Sequence, residues 1–296
     1  MKILILGGSY FLGKHFVQKI YTEHEVTVFN RGSRLLHITG VREVYGDRHQ
    51  TSDYETLKSF DFDIVVDFCA YEAGDIAKVF QELTGKFKQY IFISTCDVYE
   101  RGLGRWLDET APMEQRDFGG EAGAYILGKA ALEKELKEQA ELAGVNFTSL
   151  RPAFIYGPDN YAPREGIYFH WIKNAGQILH PVDADGEFQM VYVEDVVKAI
   201  TAALGNEKAY NESFNLAPQP MITYDSFALA LQKSVAVSFE KVPVTVQMIN
   251  ENQIPLPFPL TKEESNWYKG EKALELIGAY TSLEDGLKKT AENALN

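Results

Sequence analysis

Residues 1–16 read MKILILGGSYFLGKHF, and the fold turns on them. Ile3, Leu4, Ile5 and Leu6 form an unbroken apolar run, too short for a typical helix and closed by Gly7-Gly8, as in a parallel strand buried on both faces. Gly7, Gly8 and Gly13 bracket a turn, after which Phe16, Val17 and Ile20 recur at helical spacing. Strand, glycine turn and helix, in that order, are the setting in which a glycine motif signals dinucleotide binding. The glycines let the backbone approach a pyrophosphate, and a helix N-terminus offers free N–H groups and partial positive charge. Gly7, Ser9, Tyr10, Phe11, Leu12 and Gly13 are therefore candidate cofactor contacts, with Tyr10 standing where a GxxGxxG pattern has its central glycine.

At 296 residues and 45% hydrophobic content, the chain can bury a large core as one domain or two lobes. Its net charge of −13 disfavours nucleic acid and anionic membranes as partners. No apolar run approaches the ~18 residues of a membrane span, and nothing at the N-terminus reads as a signal peptide. A cytoplasmic location follows as the expectation. Cys69 and Cys96 each end a strand-like run and are expected to be free thiols, with no metal site.

Further strands are expected at 25–29, 42–45, within 61–68 and at 90–94, with helical patterns at 53–59 and 75–83 between them. That rhythm predicts an α/β fold, a Rossmann-type doubly wound parallel sheet. Ligands of such sheets bind beyond the carboxyl ends of the strands, so Asn30, Asp47 with Arg48, Phe68, Ala70 and residues 94–99 should share one rim. At Asn30-Arg31-Gly32 the acid that would grip a ribose is absent. Arg31 could pair with a 2′-phosphate instead, which leans the cofactor towards NADP over NAD.

A long helix is expected over 124–143, with Leu127, Ala130, Ala131, Glu135 and Leu142 as its inward stripe, and a sixth strand at 147–150. Past residue 158 the rhythm breaks. A helix within 161–177, short strands at 178–182 and 188–193 around an Asp185-Gly186 turn, and a helix at 193–204 come next. A strand at 213–216, a helix at 224–235, a strand at 238–243 and a terminal helix from 281 complete the chain. Residues 1–160 read as the dinucleotide-binding domain. Residues 161–296 read as a smaller, mixed substrate lobe, with 188–217 returning to the first domain.

Tyr125 and Lys129 lie four apart on one face of the long helix. An ammonium beside a phenol favours the phenolate, drawing its pKa from about 10 towards neutrality. Such a tyrosine can exchange a proton with a substrate hydroxyl or carbonyl while hydride moves. Thr95, at the end of the fifth strand, could donate a hydrogen bond to the same oxygen.

These motifs, in order, resemble the NAD-dependent epimerase/dehydratase family of extended short-chain dehydrogenase/reductases. The resemblance rests on residues 7–13 (GGSYFLG), 93–99 (ISTCDVY), Tyr125 with Lys129, Arg151-Pro152 through Tyr156-Gly157-Pro158, and Val193-Glu194-Asp195-Val196. It implies Tyr125 as acid/base, Lys129 as its partner and a ribose ligand, and Thr95 as the third catalytic member. Asp47 would meet the adenine, Ile155 would pack near the nicotinamide, and the tyrosine-bearing helix could form a homodimer. Departures are instructive. Family dehydratases place Asp-Glu where Cys96-Asp97 stands, leaving Asp97 as a candidate substrate contact. Nucleotide-sugar epimerases place an arginine where Phe188 stands, and no arginine follows Arg164. The loop 157–164 (GPDNYAPR), with Asn160 and Arg164 as further substrate candidates, resembles the branch of bacterial reductases and chloroplast stem-loop binding proteins. The implied activity is hydride transfer on a sugar-like substrate with NAD or NADP, by an epimerase or a reductase. A non-catalytic dinucleotide sensor or RNA-binding protein on the same fold is the alternative.

Overall fold

The computed structural model describes residues 1–295. Its first half lays down β1 (Lys2–Leu6), α1 (Phe11–Ile20), β2 (Glu25–Asn30), β3 (Arg42–Tyr45), α2 (Glu55–Lys58), β4 (Ile64–Asp67), α3 (Asp75–Glu82) and β5 (Gln89–Ile93). Next come β6 (Trp106–Leu107), α4 (Gly120–Ala143), β7 (Asn146–Pro152), β8 (Phe154–Tyr156), α5 (Glu165–Ala175), β9 (Gln177–Pro181), β10 (Met190–Tyr192) and α6 (Val193–Ala203). The last stretch holds β11 (Glu212–Leu216), α7 (Tyr224–Ser234), β12 (Glu240–Val244), α8 (Val246–Glu251), β13 (Trp267–Tyr268), α9 (Leu274–Ile277) and α10 (Leu283–Ala294).

Seven strands form one sheet in the order β3-β2-β1-β4-β5-β7-β11, and every neighbouring pair runs parallel. The unbroken apolar runs follow from burial on both faces. Ile3, Ile5, Ile64, Val66, Ile91 and Ile93 enter one core, and Leu4, Leu6, Val65, Tyr90 and Phe92 enter the other. Helices α1 and α6 cover the first face, while α3 and α4 pair across the second. From β1 the chain winds outward to β3, then returns to start β4 on the other side of β1. That reversal opens a crevice at the carboxyl ends of β1 and β4.

Beyond residue 158, α5, α7 and α10 enclose an aromatic cluster in which Phe188 and Phe258 stack at 4.0 Å and Tyr168 meets Phe227 at 4.9 Å. The expected turn at Asp185-Gly186 is replaced by irregular chain, and the strands on either side do not pair with each other. β9 pairs with β12 and β10 with β8, both parallel, because Asp185 and Gly186 donate their N–H groups to Leu260 O and pin this stretch to another segment. The inward stripe of α4 is also corrected. Ala130 faces inward as expected, together with Ile126, Lys129, Leu132, Glu133, Leu136 and Ala140, whereas Ala131 is exposed and Leu142 is 82% exposed. A buried Lys129 and Glu133 on that face disguised it as the polar one.

Both inward charges have partners. Glu133 accepts two hydrogen bonds from Arg151, at 2.8 Å each, and one from Ser149 at 2.6 Å, all fully buried. Arg48 forms the matching pair with Asp67 at 2.9 Å and 3.0 Å. The neighbouring guanidinium holds each carboxyl below its ordinary range despite burial. Glu133→Gln leaves Arg151 buried without a counter-charge and is expected to cost about 3–5 kcal/mol. Because the folded carboxyl titrates below the unfolded one, that difference is full above pH ~4.3 and shrinks as pH falls further. Chemical denaturation of both proteins at pH 7 and below pH 4 measures it; equal stability at pH 7 would contradict the assignment.

Candidate active site

A cleft of about 510 Å³ occupies the crevice and runs from the glycine turn to the N-terminal half of α4. Gly7 and Gly8 adopt φ of +87° and +81°, which only glycine enters freely. A Cβ on Gly13 would stand 2.5 Å from Gly8 Cα, so the turn and the first turn of α1 meet backbone to backbone. Helix α1 starts without a side-chain cap and without an acidic residue in its first turn. Gly13 and Lys14 donate their N–H groups to Tyr10 O, which leaves those of Phe11 and Leu12 available to an anion. At the far end of β2, Asn30 Oδ1 accepts from Gly32 N at 2.7 Å. Its buried Nδ2 has no partner among the described residues, and Asn30 lines the cleft. An orphaned donor at this place fits the ribose side of a dinucleotide.

Thr95, Tyr125 and Lys129 line the other end together. Lys129 is buried and donates from Nζ to Ile93 O at 2.9 Å, with the Phe92 and Tyr71 rings 4.7 Å and 4.8 Å away. Burial lowers its pKa to about 8, against opposing pulls from Asp67, Cys69 and Glu133. Gly128 is required beside it, since a Cβ there would collide with Tyr71 O. The Tyr125 phenol is not drawn towards neutrality as the Tyr-Lys spacing suggests. Burial and then Asp97 push it up to about 12, while Arg164 and a hydrogen bond with the Thr95 side chain pull it down. The ammonium lies 6.0 Å from the Tyr125 ring and is held by a backbone carbonyl, which explains the difference. Thr95 Oγ1 also accepts from Asp97 N at 3.1 Å, fixing the turn after β5.

Other candidates divide. Gly7, Ser9, Tyr10, Phe11, Leu12, Gly13, Arg31, Asp47, Phe68 and Ile155 all line the cleft. Ala70 does not; it is fully buried in the second core, below the rim. Arg48 reaches the cleft wall, but its guanidinium is engaged by Asp67 and Asp75 O. Asn160 Nδ2 is spent on the Glu165 carboxylate and Ile155 O, which ties its loop down. Arg164 donates to Ile155 O at 3.0 Å and lines the cleft. Asp97 sits in an adjoining cavity, paired with Arg101 at 3.3 Å. Both cysteines are free, and burial raises their thiols. No group of His, Cys, Asp or Glu among the described residues is arranged to hold a metal, and no helix among them is long and apolar enough to cross a membrane.

Sequence reasoning missed the strap that crosses the glycine turn. Tyr161, from the loop after Gly157, stacks on Tyr10 at 4.6 Å, and the Arg34 guanidinium covers the other face of the Tyr10 ring at 3.8 Å. Lys14 pairs with Asp159 at 2.7 Å, and His15 contacts Pro158 O at 3.1 Å and Glu194 at 2.7 Å. Glu194 raises the His15 pKa, so the charged imidazole suits both partners. The one signal in the sequence was the tyrosine in a glycine slot.

A protein-family model described as the NAD dependent epimerase/dehydratase family matches residues 76–217. The chain is 32% identical to a chloroplast stem-loop binding protein of 41 kDa from Arabidopsis thaliana over 79% of its own length, and spans 63% of that protein. It is 22% identical to an uncharacterized UDP-glucose epimerase of Bacillus subtilis, covering 97% of this chain and 96% of that protein. Among solved structures, the UDP-glucose 4-epimerase of Thermotoga maritima with UDP-glucose superposes with a TM-score of 0.79 at 23% identity, covering 99% of this chain and 98% of that one. The UDP-glucuronic acid 4-epimerase of Bacillus cereus, with UDP-glucuronic acid and NAD, gives 0.77 at 17% identity and 99% coverage of both. The family match and the strand order agree on one point: residues 76–217 of this chain carry a domain of the NAD-dependent epimerase/dehydratase family.

Proposed function

We propose that the chain is an NAD(H)-dependent enzyme of the sugar-epimerase type that keeps its cofactor through turnover. The observation that carries this reading is one continuous cleft with a glycine turn at one end and Thr95, Tyr125 and Lys129 at the other. The turn and the start of α1 would hold the pyrophosphate, Asn30 Nδ2 and Asp47 the adenosine, Lys129 a ribose hydroxyl, and Ile155 the nicotinamide. When bound, the oxidised nicotinamide supplies the hydride acceptor and a positive charge beside the phenol. Tyr125 then takes the proton of a substrate hydroxyl and later returns it, with the Thr95 hydroxyl holding the same oxygen. NAD is favoured over NADP, since related structures carry NAD.

Retention is supported by the strap, whose stacked Tyr10 and Tyr161 rings line the cleft beside the glycine turn and whose loop is tied to α1 by the Lys14–Asp159 ion pair. A net reductase must release its dinucleotide each cycle; an epimerase need not. The Arabidopsis relative is named for stem-loop binding, but a net charge of −13 opposes a phosphate backbone here.

Tyr125→Phe is expected to lower turnover by about 10²–10⁴-fold while NAD affinity changes less than about threefold. Steady-state kinetics with calorimetry of NAD binding separates the two, and full-rate turnover would remove Tyr125 from the chemistry. The paired change Tyr10→Gly and Tyr161→Ala is expected to speed NAD dissociation by about tenfold or more, corresponding to ~1.4 kcal/mol of lost contact. Exchange against labelled NAD measures this. An unchanged rate would mean that the strap does not retain the cofactor.

A further inference from the structure

A second cavity, of about 140 Å³, opens beside the reaction centre. Ala153 lines both it and the main cleft, and Asp97 on its wall acts on the Tyr125 phenol. At ~10–15 Å³ per water-sized sphere, it has the scale of a single monosaccharide. Phe154 and Phe188 supply apolar atoms to its lining, which also holds Asp97, Glu187 and Glu264 against one cation, Arg101.

Each carboxylate is fixed by one oxygen. Asp97 Oδ1 receives Arg101 at 3.3 Å and the Tyr268 hydroxyl at 3.3 Å. Glu187 Oε2 receives the Trp267 indole N–H at 2.8 Å, and Glu264 Oε2 receives Leu260 N at 2.7 Å. These bonds leave Asp97 Oδ2, Glu187 Oε1 and Glu264 Oε1 as acceptors, and charge-assisted bonds from hydroxyls suit them. Phosphate does not. The wall carries three carboxylates against one guanidinium, no arginine follows Arg164, and Lys173 and Lys241 line neither cavity.

Resting on the sugar-epimerase reading of the adjoining centre, we infer that this cavity binds an unphosphorylated polyhydroxylated ring and that Glu187 and Glu264 select against nucleoside-diphosphate sugars. The apolar wall from Phe154 and Phe188 suits the C–H groups of such a ring, and the carboxylates take its hydroxyl hydrogens. A ring bearing an ammonium group gains further from the net negative wall.

Saturation-transfer NMR titrations on the full chain with its cofactor, using D-glucose, D-galactose, D-glucosamine and UDP-glucose as probes, test this. D-Glucosamine is expected to bind at least fivefold more tightly than D-glucose, and UDP-glucose at least tenfold more weakly than D-glucose. The paired change Glu187→Gln and Glu264→Gln, which keeps the bonds to Trp267 and Leu260, should remove the glucosamine preference. The inference is overturned if UDP-glucose binds as tightly as the free sugars, if none of the uncharged sugars binds, or if a folded double variant keeps the wild-type ranking. Should the variant fail to fold, the wild-type ranking alone decides. Since the readout is binding, loss of the ranking is distinct from failure of the redox reading, which would spare sugar binding but abolish Tyr125-dependent turnover.

Discussion

Gly13 and Gly8 touch backbone to backbone, and much of the molecule is arranged around that contact. A side chain at either position would lift α1 off the end of β1, since a Cβ on Gly13 would reach Gly8 Cα and one on Gly8 would strike Ile5. With the helix seated, its uncapped N-terminus faces the crevice between β1 and β4. The same seating puts Lys14 and His15 where they hold the loop after Gly157, which brings Tyr161 onto Tyr10. A close approach between two glycines thereby positions both the floor and the roof of the cleft.

At the other end the organising force is burial of charge. Lys129 and Glu133 enter the core one turn apart on α4, one answered by a backbone carbonyl and the other by Arg151. Arg151 in turn donates to the Tyr99 hydroxyl, which donates to Asn215, linking β7, the turn after β5, and β11. Such networks are costly to leave half-satisfied. They fix the backbone beneath Thr95 and Lys129, so the proposed reaction centre rests on α4, β7 and the braced turn after β5.

The inner strands were legible because burial on both faces makes them continuous apolar runs; the edge strand β3, half exposed, still falls at the residues expected of it. The face of α4 was misjudged because hydrophobicity is a poor guide where a lysine and a glutamate point inward. Asp185-Gly186 reads as a turn between two strands, but Leu260, seventy-odd residues away, takes both of its N–H groups and holds it as irregular chain, which no local pattern reports. Family motifs located Thr95, Tyr125 and Lys129, whereas the phenol's high pKa needed coordinates, because desolvation depends on every neighbour at once. Tyr161 and Arg34 escaped notice for the same reason: a stacked strap is a tertiary contact between loops.

The most direct measurement is to denature the freshly purified protein and determine the amount, identity and oxidation state of the dinucleotide released. A cleft that grips NAD through the glycine turn and closes Tyr10 and Tyr161 over it predicts close to one equivalent of NAD(H) per chain, carried through purification without any being added. Protein that is empty and also fails to bind NAD, or that carries NADP instead, would contradict it.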